Sequence, residues 1–132
     1  MMADLSLDFQ FTSSINKVWN ALTESDTLSK WIMENDFKPI VGHKFQFRTE
    51  PNEWWNGIIE GEVLIVDAPN RLSYTWESGE KHTVTWTLQD LGDGKVNLHL
   101  EQTGISNDQA AAGAKYGWTN WFGKFEKVLE EM

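Results

Sequence analysis

The chain has 132 residues, 40% of them apolar and 23% charged, the balance of an ordinary globular domain with a core of its own. Its net charge of −9 makes nucleic acid and anionic membranes poor partners, and the absence of cysteine removes disulfide and thiol chemistry. The N-terminal MMADLSLDFQF lacks the basic region and apolar run of a signal peptide, and no apolar stretch reaches the ~18 residues of a membrane span; one cytoplasmic domain over residues 1–132 is expected.

Leu5, Leu7, Phe9 and Phe11 alternate with polar residues, the period of a half-buried strand. Thr12, Ser13 and Ser14 then offer helix N-caps, and Ile15, Val18, Trp19 and Leu22 follow at helical spacing. A second short helix from Ser25 or Asp26 presents Leu28, Trp31 and Ile32. After Pro39 and Gly42 the alternation returns with Phe45 and Phe47 against Lys44, Gln46 and Arg48. In WWNGIIEGEVLIV one face carries Trp55, Gly57, Ile59, Gly61, Val63 and Ile65, and its glycines leave room for bends or for a hollow.

Past the turn Asp67-Ala68-Pro69-Asn70, the inward sets are Leu72, Tyr74 and Trp76, then His82, Val84, Trp86 and Leu88. A Gly92-Asp93-Gly94 hairpin leads to Val96, Leu98 and Leu100. The final segment, from Ser106, sets Ala111, Ala114, Trp118, Trp121, Phe125 and Val128 three and four apart. Ser106 and Gln109 read as a capping box, and about 24 helical residues would span roughly 36 Å. The expected fold is α+β: a curved six-stranded antiparallel sheet around one long C-terminal helix, with two short helices after the first strand.

Eight tryptophans are many for this length, and rings of that size either dominate a core or line a pocket. The candidate ligand-binding set is Trp55, Ile59, Tyr74, Trp76, His82, Trp86, Trp118, Trp121 and Phe125; the same periodicity also serves plain core packing. Gly113 and Gly117 thin one face of the helix and favour a hollow there. His43, His82 and His99 lie on separate strands without metal-ligand spacing, so no metal and no cofactor is expected. Glu60 and Glu62 fall on the outer face, which suits solvation better than acid–base catalysis, and only inward His82 gives an enzyme a foothold.

The motifs VWNALTESDTLSKW, F-x-P-x-x-G-x-x-F-x-F, W-x-G-x-x-x-G-x-V, L-x-Y-x-W, TVTWTL and GW-x-x-W-F-x-x-F, in this order, resemble the family named for the activator of the 90-kilodalton heat-shock protein ATPase. That family sits in the helix-grip superfamily, with the birch-pollen allergen, steroidogenic-acute-regulatory-related lipid-transfer domains and polyketide cyclases. The resemblance implies an apolar cavity between sheet and terminal helix that takes a small hydrophobic molecule, such as a lipid, a sterol or a polyketide-like aromatic. The alternative it admits is a protein partner, in a co-chaperone or stress-related role, and in third place a cyclase or hydrolase activity.

Overall fold

The computed structural model describes residues 3–53 and 56–131. Seven antiparallel strands form one sheet: β1 (Ala3–Thr12), β2 (Glu34–Asn35), β3 (Lys44–Arg48), β4 (Ile58–Asp67), β5 (Arg71–Ser78), β6 (Glu80–Gly92) and β7 (Lys95–Ile105). Their spatial order is β1-β7-β6-β5-β4-β3-β2. Helices α1 (Ile15–Thr23) and α2 (Ser25–Trp31) follow β1, and α3 (Asp108–Glu131) closes the chain. The architecture is the expected α+β one, with one strand more than the periodicity called for.

That extra strand, β2, is too short to carry a period; it pairs with β3 through Glu34 and Asn35 and is held there by side-chain hydrogen bonds. The Asn35 amide donates to the carbonyls of Ser25 and Met33, its Oδ1 accepts from Phe37 N–H, and Ser25 Oγ donates to the Asn35 carbonyl. The helical pair is fixed by similar means. The Ser14 side chain accepts from Lys17 N–H at 3.3 Å to start α1, and Trp31 Nε1 donates to the Ala21 carbonyl at 2.9 Å, tying α2 to α1.

Inward faces follow the alternation in β3, β5, β6 and β7, where Phe45, Phe47, Leu72, Tyr74, Trp76, Val84, Trp86, Leu88, Val96, Leu98 and Leu100 are all buried. Strand β4 departs from it. Ile59 and Val63 are buried, but the register with β5 shifts between Val63 and Ile65, and Ile65 turns outward to 37% exposure. The expected inward position of Ile65 is thereby corrected.

Helix α3 begins on Asn107 rather than Ser106: the Asn107 carboxamide oxygen accepts from Ala110 N–H at 2.8 Å. Its buried stripe is Trp118, Phe122, Phe125, Val128 and Leu129, with Trp121 half-buried beside it. Phe122, outside the expected stripe, is central to the packing, stacked on Phe9 at 4.0 Å and in contact with Phe11, Trp31 and Trp86. Each aromatic of this size buries on the order of 200 Å², a gross hydrophobic gain of roughly 5 kcal/mol.

The glycines do not open hollows as the alternation suggested. A Cβ on Gly61 would stand 2.3 Å from the Thr75 carbonyl oxygen and 2.5 Å from the Phe45 ring, so that ring fills the place. A Cβ on Gly57 would stand 2.3 Å from the Thr49 carbonyl oxygen. Gly113 and Gly117 instead have nothing within 4 Å beyond their own helix. Replacing either with alanine should therefore stabilise the protein by up to about 1 kcal/mol through helix propensity alone, whereas Gly61→Ala should destabilise it. Urea unfolding of the three variants reads this directly, and a destabilised Gly117→Ala would contradict it.

Candidate functional site

Among the described residues, the backbone of α3 lies close to β1, β7, α1 and α2, and not to β4, β5 or β6. The gap over the centre of the sheet is spanned by side chains. Trp76 from β5 and Trp86 from β6 rise to meet Trp118 at 5.3 Å each, and Trp121 stands 6.1 Å from Trp76 and 5.0 Å from Trp118. Phe47 closes on Trp76 at 5.4 Å, with buried Ile59 opposite Phe47 on β4. Ile59, Tyr74, Trp76, Trp86, Trp118 and Trp121 thus belong to one apolar region under the helix. Phe125 is fully buried but lies toward α2 and β1, against Phe11, Trp31 and Phe122. Trp55 lies outside the described residues.

Tyr74 is the polar group of this region. Its hydroxyl oxygen accepts from Trp86 Nε1 at 2.9 Å, while Phe37 and Phe45 pack edge-on against its ring. Burial pushes the phenol well above its ordinary value, against a smaller pull downward from the Trp86 hydrogen bond, so the O–H keeps its proton. Among the described residues nothing accepts that proton. A buried donor without an acceptor costs free energy, and a ligand carbonyl or hydroxyl would supply one.

At the far end of the region runs a hydrogen-bond chain that periodicity did not reveal. Trp118 Nε1 donates to Gln102 Oε1 at 2.8 Å, Gln102 Nε2 meets His82 Nδ1 at 2.6 Å, and His82 Nε2 meets Glu80 Oε1 at 2.7 Å. Glu80 Oε1 also accepts from Ser106 N–H at 3.2 Å. An indole can only donate, which fixes the Gln102 oxygen toward Trp118 and its amide nitrogen toward His82. His82 Nδ1 must then accept, and Nε2 carries the proton that goes to Glu80. Both ring nitrogens are engaged, so the inward histidine has no free edge for substrate. Gln102 is 2% exposed, and its signal in the sequence was parity, since it continues the inward series Val96, Leu98, Leu100.

The outer face holds the remaining polar candidates. Arg48 pairs with Asp36 at 3.8 Å, His43 contacts the Asp36 carbonyl, and His99 bonds Asp8 across β1 and β7 at 2.9 Å. An open depression of about 570 Å³ lies there, lined by Asp36, Lys44, Glu60, Glu62, Glu77 and Lys81 among others. It is polar and on the opposite side of the sheet from the indoles. Among the described residues no group of His, Asp and Glu converges to hold a metal ion, and no helix is long and apolar enough to cross a membrane.

The family model of the activator of Hsp90 ATPase homolog 1-like proteins matches residues 12–130. Among solved structures, a Mesorhizobium loti protein shares 34% identity with a TM-score of 0.89, over 98% of each chain. A Bacillus halodurans protein shares 24% identity at a TM-score of 0.81, over 98% of this chain and 99% of its own. An HSP90 activator from Plasmodium falciparum, 19% identical, shares the fold at a TM-score of 0.80 over 96% of each chain. Among curated proteins, none matches the sequence.

Two outcomes follow from the hydrogen-bond chain. Gln102→Leu strands the Trp118 N–H and the His82 Nδ1 and should cost about 1–3 kcal/mol, read by urea unfolding; an unchanged midpoint would contradict the chain. The bond from His82, with the Ser106 N–H, holds the Glu80 carboxyl below its ordinary value of 4.5. A depressed carboxylate contributes stability that is complete above that ordinary value and is lost as pH falls through the lowered one. Glu80→Gln should accordingly flatten the stability curve below pH 4.5, and an identical acid limb would contradict the assignment.

Proposed function

The chain belongs to the family of activator of Hsp90 ATPase homolog 1-like proteins, and on that premise we propose that it is a binding domain for a small, flat, uncharged hydrophobic molecule held between the sheet and α3. The observation that carries this reading is the Tyr74 O–H, which has no acceptor among the described residues and is buried in a region otherwise walled by indoles. Trp76, Trp118 and Trp121 provide faces for stacking, and half-buried Trp121 marks the side on which a ligand enters. Ile59 and Trp86 back the wall. Among the described residues, no charged side chain faces the aromatic region itself, since Glu80 and His82 satisfy each other at its end. An uncharged ligand with one hydrogen-bond acceptor is the matching chemistry, and burial of its apolar surface at ~25 cal/mol per Å² drives association.

Family membership also supports a second reading, a protein-interaction module of the heat-shock ATPase activator type. Exposed Ile40 and Val41, at 59% and 62%, stand beside outward Leu64 and Ile65, because the turn before β3 bonds to Val63. Stimulation of a purified 90-kilodalton heat-shock ATPase by the chain would favour that role.

Tryptophan fluorescence and melting temperature, measured against flat aromatics, sterols and fatty acids, test the binding reading. The expected result is a saturable quench with a raised melting temperature for an aromatic carrying a carbonyl or hydroxyl, since a ligand of the folded state stabilises it. Tyr74→Phe should weaken that ligand about tenfold and leave a plain hydrocarbon of the same shape unaffected. Silence across the panel, or equal losses for both ligands, would overturn it.

A further inference from the structure

The chain of bonds from Trp118 to Glu80 has a property that its static role in the core does not require: it has only one consistent direction. Trp118 can only donate, so Gln102 must present oxygen to α3 and nitrogen to β6, and His82 must be neutral with its proton on Nε2. A second proton on the imidazole would go to Nδ1, where the Gln102 amide already points its own hydrogens from 2.6 Å. Two donors cannot face each other at that distance. If the carboxamide turns over to accept from the imidazolium, its nitrogen then faces the Trp118 N–H, and the conflict moves to the helix. Protonation therefore deprives Trp118, 2% exposed, of its hydrogen-bond partner.

From this geometry we infer that protonation of His82 is a switch on the apolar site: acidification releases Trp118 from Gln102, loosens α3 over the sheet and weakens ligand binding. This regulatory role rests on the binding reading above. An imidazole is the side chain that takes up a proton nearest neutral pH, and His82 is within reach of solvent at 13% exposure. Glu80 is the carboxylate against Nε2. Strand β5 sets Trp76 opposite His82, β7 brings Gln102 and the backbone of Gly104, and α3 reaches the relay through Trp118; none of these titrates. Glu77 and Lys81, paired across β5 and β6, line the depression on the outer face. The switch is thus one histidine, one amide and one indole, spanning β6, β7 and α3.

Two measurements on the full chain test it. In the first, the indole N–H resonance of Trp118, assigned by its loss in Trp118→Phe, is followed by NMR from pH 8 to pH 5 beside the His82 ring protons. The expected result is that both move on one titration curve, and that the Trp118 signal stands still in His82→Gln. A stationary Trp118 signal while His82 titrates, or no His82 titration in this range, overturns the inference and leaves the binding reading intact. In the second, the affinity for N-phenyl-1-naphthylamine, uncharged across this range, is compared at pH 7.5 and pH 5.5. A drop of about tenfold in the parent and none in His82→Gln supports the switch. Equal affinities at the two pH values overturn it, and failure of the probe to bind at either pH overturns both the switch and the site beneath it.

Discussion

Among the described residues, the backbone of the long helix α3 comes close to the sheet only at the β1–β7 edge, and the distance that opens over β4, β5 and β6 is filled by side chains. Smaller residues would leave a void there, with the loss of contacts that a void entails. Indoles are the largest side chains available, and Trp76, Trp86, Trp118 and Trp121 meet across the opening with centroids 5.0–6.1 Å apart. The remaining core follows from this arrangement. Where α3 comes close to β1 and the helical pair, phenylalanines suffice, and Phe9, Phe11, Phe122 and Phe125 pack there with Trp31.

A region built this way is dry but not wholly apolar, because every indole brings an N–H. The structure deals with two of them at the cost of two further polar groups. Trp86 donates to Tyr74, and Trp118 donates to Gln102. Gln102 in turn brings an amide nitrogen, which His82 accepts, and His82 brings a proton, which Glu80 takes at the rim. That sequence of satisfactions reaches solvent and ends. The Tyr74 sequence does not: among the described residues its hydroxyl proton has no acceptor. The contrast between a relay that closes and one that stops short is the physical ground for seeking a ligand at Tyr74 and regulation at His82.

Much of this fold was legible from periodicity. The order of elements, the short helical pair, the inward faces of β3, β5, β6 and β7, and the outward setting of Arg48 and His99 all follow from alternation and capping. What escaped has particular causes. Strand β2 depends on the Asn35 amide and not on a pattern. The bulge between Val63 and Ile65 reversed a face that strict alternation would keep. Gly61 looked like space because a missing side chain shows in a sequence, whereas the Phe45 ring that covers it does not. Phe122 lies between Trp121 and the expected Phe125 position, and helix spacing alone admits either member of such a pair to the stripe. Of the candidate site, the aromatic walls were readable one strand at a time. The relay was not, since it joins residues 80, 82, 102 and 118, and only the sheet register brings these together.

Fluorine NMR on protein carrying 5-fluorotryptophan would show whether the indole-spanned gap under α3 receives a ligand. Titration with an uncharged flat aromatic ketone should shift the signals of Trp76, Trp86, Trp118 and Trp121 together and saturably. Trp19, buried in α1 and outside that cluster, should keep its position. Saturable binding that moves Trp19 and leaves the four others in place would put the ligand elsewhere in the molecule.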